Sequence, residues 1–135
     1  MTRSYRLIAA IAVVPLAAAA GTACFSEHVT GQGTASTVDV AAICRTPSGA
    51  PANVVVISNF VFSPQAVRIS AGGHVTWVNC ETTPGLAHTS TSDGGLWQSS
   101  LMEPSDSFDR TFSQGGTFAY HCTPHPFMTG TVVVQ

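Results

Sequence analysis

From Asn53 onward the sequence predicts an all-β sandwich, on three observations. Short runs rich in β-branched and aromatic residues recur there, clusters of Gly, Pro, Asn and Ser separate them, and no segment keeps a helical period. With 135 residues, and an apolar leader to subtract, the chain has room for one compact domain.

The leader comes first. Arg3 and Arg6 precede the apolar run Leu7 to Ala20, which ends in small residues ahead of Cys24, the layout of a secretory signal peptide over residues 1–23. A membrane anchor is the competing reading, but the run is short for a bilayer span, carries Pro15 and fades into Ala and Gly. Arg3 and Arg6 are not adjacent, so the twin-arginine signal for pre-folded cargo is absent. Gly21-Thr22-Ala23-Cys24 also resembles the lipobox of bacterial lipoproteins, with Gly21 where a large aliphatic residue is usual. Acylation of Cys24 and plain cleavage near Ala20 or Ala23 both stay open, and one lipid alone gives modest anchoring. The expected location is therefore periplasmic or cell-surface, with membrane attachment if Cys24 carries lipid.

Residues 24–52 are rich in Ser, Thr, Gly, Ala and Pro, the composition of a flexible N-terminal linker, and 53–135 form the folded domain. The strand runs of that domain are Asn53 to Ser58, Ala66 to Ser70, His74 to Asn79, Ser107 to Phe112, Gly116 to Cys122 and Gly130 to Val134. Ser70-Ala71-Gly72-Gly73 and Ser113-Gln114-Gly115-Gly116 are turn signals, because glycine tolerates the positive φ that tight turns often require. Along Phe118 to Cys122, alternation puts Phe118, Tyr120 and Cys122 on a core-facing row and Ala119 with His121 on the other face. Val75, Trp77 and Asn79 likewise share a face, while the opposite one bears Val78, so both are expected to be partly covered.

Composition excludes one class of partner. Charged residues are 9% of the chain and the net charge is −2, so no basic surface exists for phosphate backbones and nucleic acid is not a partner.

Four cysteines are present, Cys24, Cys44, Cys80 and Cys122. Cys122 lies among metal-ligand residue types, where a free thiolate has a use even in an oxidising compartment. Whether Cys24 is acylated or removed, Cys44 and Cys80 remain as a pair whose disulfide would staple the N-terminal extension to the domain; the alternative leaves one free or paired between molecules.

The segment Cys122-Thr123-Pro124-His125-Pro126-Phe127-Met128 puts a thiolate, an imidazole and a thioether on one short loop that two prolines stiffen. A thiolate with two imidazoles in a trigonal set and a weak axial thioether is the donor set of blue-copper electron-transfer centres. The loop lacks one imidazole. Of the five histidines, His125 is already placed, His28 lies in the linker, and His121 points away from Cys122 on the same strand. His74 begins its strand at the end of the sandwich remote from the following loop. His88 ends the irregular connection Cys80 to Ala87, the kind of loop that commonly presents binding residues, and is the best remaining donor.

These residues resemble the cupredoxins, the type 1 blue copper proteins of the plastocyanin and amicyanin kind. The likeness covers roughly Asn53 to Gln135 and rests on Phe62-Ser63-Pro64, Gly73 to Asn79, His88-Thr89, Gly116 to Tyr120 and the loop Tyr120 to Met128, in the family's order. It implies a Greek-key β-sandwich or barrel of the cupredoxin type, with His88, Cys122 and His125 as equatorial ligands of one mononuclear copper and Met128 as the axial one. Two departures stand out. Thr89 occupies a place where many cupredoxins have Asn to tie the first ligand loop to the cysteine loop, and a threonine hydroxyl reaches less far. The stretch Cys80 to Ala87 is longer than in amicyanin and carries a cysteine, for which the disulfide provides a structural reason.

The function implied is electron transfer on copper alternating between Cu(II) and Cu(I), not enzymatic turnover, since four protein donors leave no position for a substrate. Transient redox partners would dock near His125, Pro126 and Phe127 on a monomer. The alternative is a copper-binding or copper-delivery lipoprotein that uses the same residues to hold metal for transfer. Pro124 and Pro126, and the lack of Met or His runs, favour the fixed redox centre.

Overall fold

A computed structural model describes residues 38–135, and the leader, Cys24, His28 and the first part of the linker lie outside the described residues. Eight strands follow a short helix: α1 (Val40–Arg45), then β1 (Val54–Ser58), β2 (Val61–Ser63), β3 (Ala66–Ile69), β4 (His74–Asn79), β5 (Thr91–Ser92), β6 (Ser107–Thr111), β7 (Gly116–His121) and β8 (Thr129–Val134). They form two four-stranded sheets, ordered β2-β1-β4-β6 and β3-β8-β7-β5. β1 runs parallel to β4 and β3 parallel to β8, while the other pairs are antiparallel.

Each run expected from the sequence is present within a residue or two, and the sandwich core lies between the sheets. Val55 and Ile57 of β1, Val75 and Trp77 of β4, Tyr120 of β7 and Val132 of β8 meet there, each at most 2% exposed. At about 1.5–3 kcal/mol for each such side chain removed from water, this layer supplies most of the drive to fold.

β1 reads Val-Val-Val-Ile with no polar alternation because both of its faces are covered. Val55 and Ile57 enter the sandwich; Val54 and Val56, with Val78 of β4, form a second cluster outside it, closed by Ile43 of α1.

This second cluster corrects the linker expectation over residues 38–52. A six-residue helix is marginal alone. Here Asp39 caps it by accepting the Ala42 N–H at 2.9 Å, Ile43 buries its side chain, and a disulfide joins Cys44 to Cys80 with Cα atoms 5.1 Å apart. Burial of one residue plus a covalent tie offsets the ordering cost that composition suggested would not be met. The two strands with no sequence signal, β2 and β5, have three and two residues, too few for a period to register.

Candidate metal centre

Two loops converge at one end of the sandwich. The second begins where β7 ends, and alternation along β7 holds as expected: Tyr120 and Cys122 are fully buried, while His121 turns outward to Asp93 at 2.6 Å. Three backbone bonds then fold the loop on itself. The Cys122 N–H donates to the Met128 carbonyl (3.1 Å), His125 to Cys122 (3.2 Å) and Met128 to His125 (2.9 Å). The chain re-enters the sheet as β8 with Met128 only 3% exposed.

The first loop is held from outside. Asn79 at the end of β4 is fully buried and donates from its amide nitrogen to the carbonyls of Leu86 (3.0 Å) and Met102 (2.8 Å), while its side-chain oxygen accepts the Glu81 N–H (3.0 Å). His88 and Met102 exchange backbone bonds of 3.1 and 2.8 Å. A buried amide satisfied at each atom is a rigid fixture.

Cys122 Sγ lies 3.5 Å from His88 Nδ1 and 3.6 Å from His125 Nδ1, and the two nitrogens are 3.2 Å apart. Among the described residues these three form the group of His, Cys and acidic side chains able to hold a metal ion, and His74 and His121 are not in it. Cys122 is the free cysteine of the described residues, and the Cys44–Cys80 pair is bonded. A near-equilateral triangle of that size has its centre about 2 Å from each corner, close to the bond an imidazole or thiolate makes to a first-row metal. The donor set therefore fits a copper ion of the blue-copper kind: two borderline nitrogens, one soft sulfur and a buried thioether on the same loop.

The other ring nitrogen of His88 is occupied. Nε2 lies 3.2 Å from Glu81 Oε1, which also accepts the Phe60 N–H at 2.9 Å. Donation from Nε2 places the ring proton there and leaves Nδ1 as a lone pair facing Cys122. Burial holds the His88 imidazolium below its ordinary value of 6.5, opposed by Glu81, so the ring is neutral near pH 7. Burial alone would raise Glu81, but bonds from the Phe60 and Asn59 backbone and from His88 outweigh it, and its pKa is lowered from 4.5.

Phe60 completes the enclosure. It sits in the β1–β2 turn, where Asn59 and Phe60 adopt positive φ (51° and 60°), and its ring meets His88 edge-on at 5.6 Å and His125 at 5.0 Å. Sequence reasoning missed Asn79, Glu81 and Phe60 as parts of the site. Asn59 between two strand runs was the available hint of a turn, but nothing local said that its neighbour would cap the imidazoles.

The link across the two loops exists despite the shorter side chain at position 89. The Thr89 N–H points at Cys122 Sγ (3.4 Å), and Thr89 Oγ1 accepts the Thr123 N–H at 2.8 Å.

Residues 50–135 match the family described as copper binding proteins, plastocyanin/azurin family. Amicyanin from Paracoccus denitrificans is 37% identical over 86 residues, spanning 61% of this chain and 64% of that protein. Amicyanin from Paracoccus versutus is 32% identical over 133 residues, 95% of this chain and 92% of that one. A solved structure, the reduced Cu(I) form of an amicyanin mutant at pH 4, superposes with a TM-score of 0.56 at 32% identity, covering 64% of this chain and 84% of that one.

Proposed function

The chain belongs to the plastocyanin/azurin family of copper-binding proteins, and from that premise we propose that it carries single electrons outside the cytoplasm on one copper held by His88, Cys122, His125 and Met128. The observation that carries this reading is the triangle of one sulfur and two imidazole nitrogens, 3.2–3.6 Å on a side. Bound copper supplies the one-electron couple Cu(II)/Cu(I). The protein's part is to keep the donors still. Glu81 fixes the tautomer and plane of His88, the Thr89 amide leans on the Cys122 sulfur, and the backbone bonds of the second loop hold His125 and Met128 relative to Cys122. Donors that cannot move lower the rearrangement required between oxidation states.

Electron exchange needs a place where a partner comes close. His125 is the donor that is not fully buried, and it is bordered by the exposed apolar side chains Phe127 (71% exposed) and Phe60 (38%), which share a surface hollow with Val61 (54%). With Pro126 they make an uncharged face suited to the small, short-lived contacts of redox partners. With four protein donors assigned, no ligand position is left for a substrate, so the protein is read as a carrier and not an enzyme. Export through the leader 1–23 completes the reading, with Cys24 either acylated or removed with the leader; the mass of the mature chain tests both cleavage and acylation.

Adding Cu(II) to the purified mature protein tests the centre. A 1:1 complex with intense visible absorption from a copper–thiolate bond is expected. A colourless complex, or one whose colour survives Cys122→Ser, would overturn the assignment.

A further inference from the structure

We propose that Thr91 is a positioning residue of the metal centre: its hydroxyl closes a hydrogen-bonded ring with Thr89 and Thr123 that keeps the Thr89 amide on the Cys122 sulfur. Thr91 Oγ1 lies 3.0 Å from Thr89 Oγ1 and 2.9 Å from Thr123 Oγ1. Each hydroxyl has one proton to give and two lone pairs. The Thr123 N–H takes one lone pair of Thr89 Oγ1 at 2.8 Å. The Thr89 proton then goes to Thr91, and the Thr91 proton to Thr123, or both run the other way. In either direction the chain leaves Thr123 through its amide and returns through its hydroxyl.

What Thr91 adds is an anchor. Thr89 and Thr123 sit next to the ligands His88 and Cys122 on the loops that must be held, whereas Thr91 belongs to β5, paired with His121 of β7 and bridged to Gln98. Its β-branched side chain has few rotamers to lose when it bonds. Thr89 Oγ1 reaches the Thr123 N–H directly, and the Thr91 hydroxyl adds a second connection, from the sheet to both threonine hydroxyls. Hydrogen bonds in such a chain polarise one another, so the ring holds better than its separate contacts. Thr89 is 3% exposed, whereas Thr123 is open to solvent, so water competes at one corner and the effect is moderate.

The consequence for copper rests on the function proposed above, but the ring itself does not. In metal-free, 15N-labelled protein, Thr91→Val should speed hydrogen exchange of the Thr123 amide roughly three- to tenfold, the effect of one net hydrogen bond, and Thr91→Ser should restore it. Thr123→Val, which removes the far corner, carries the same expectation for the Thr89 amide and serves if Thr91→Val does not fold. In copper-loaded protein, Thr91→Val should shift the visible band and lower the reduction potential, because a loosened N–H withdraws less charge from the thiolate, while Thr91→Ser keeps both. Unchanged Thr123 exchange in Thr91→Val overturns the proposal. So does faster exchange with band and potential unmoved, since Thr91 would then only support the fold. A protein that takes up no copper refutes the function instead and leaves the exchange result to decide the ring.

Discussion

The two loops that meet at the metal centre are held in opposite ways. The loop ending in His88 is fastened to distant parts of the chain: Asn79 to Met102, Glu81 to the β1–β2 turn, Cys80 to Cys44. The loop Cys122 to Met128 is fastened mainly to itself, through three backbone bonds within seven residues, and reaches across at Thr123. His88 is accordingly fully buried, whereas His125 keeps an edge toward solvent. One loop provides the rigid half of the centre and the other the half a partner can approach.

The largest effect should come from deleting each imidazole. His88→Gly and His125→Gly should both lose the visible band. Added imidazole should recover it in His125→Gly, because the space lies at the surface, and not in His88→Gly, whose space is sealed by Phe60, Glu81 and Met102. Equal recovery in both would break the contrast between the loops.

Next in size is the disulfide. Replacing Cys44 and Cys80 by Ala frees a closure of 36 residues, worth about 4 kcal/mol in chain entropy. It also releases Ile43 from its cluster and slackens the residue beside Glu81. Urea unfolding of the metal-free protein should show the loss, and amide exchange should rise in residues 80–88 and stay unchanged in 122–128. A uniform rise would mean that the arm supports the whole sandwich and not the first loop in particular.

The smallest effect is on pH dependence in the metal-free protein. His88 has a folded pKa below its unfolded 6.5, so below that pH the unfolded chain takes up a proton that the folded one refuses, and stability falls. Glu81 is also depressed, from 4.5, so its contribution is present above that value and is lost as pH falls through the folded pKa. Unfolding midpoints between pH 7.5 and pH 5.5 should therefore decline in the wild type and less in His88→Gln; identical slopes would remove His88 as the cause.

Much of the fold was legible because sheet formation leaves a period in the chain. Phe118-Ala119-Tyr120-His121-Cys122 alternates strictly, and that pattern alone put Cys122 inside and turned His121 away from it. β1 carried no such alternation, and the reason, a second cluster roofed by α1, depends on Ile43 and the disulfide reaching back from outside the sandwich. β2 and β5 were too short to signal, yet the turn leading into β2 delivers Phe60 to the site and β5 delivers Thr91.

By itself, then, the sequence placed the candidate donors Cys122, His125 and Met128 on one loop, because their spacing lies within seven residues that bond to one another through the backbone. The cysteine count also favoured a Cys44–Cys80 pair, which the structure shows bonded. Only the tertiary structure decided the rest. That Glu81 holds the far nitrogen of His88, that Phe60 covers both imidazoles, and that Thr91 braces Thr89 follow from contacts between strands and turns. Residues brought together by sheet register carry no mark in their neighbours, since the register is set by the whole pattern of buried faces.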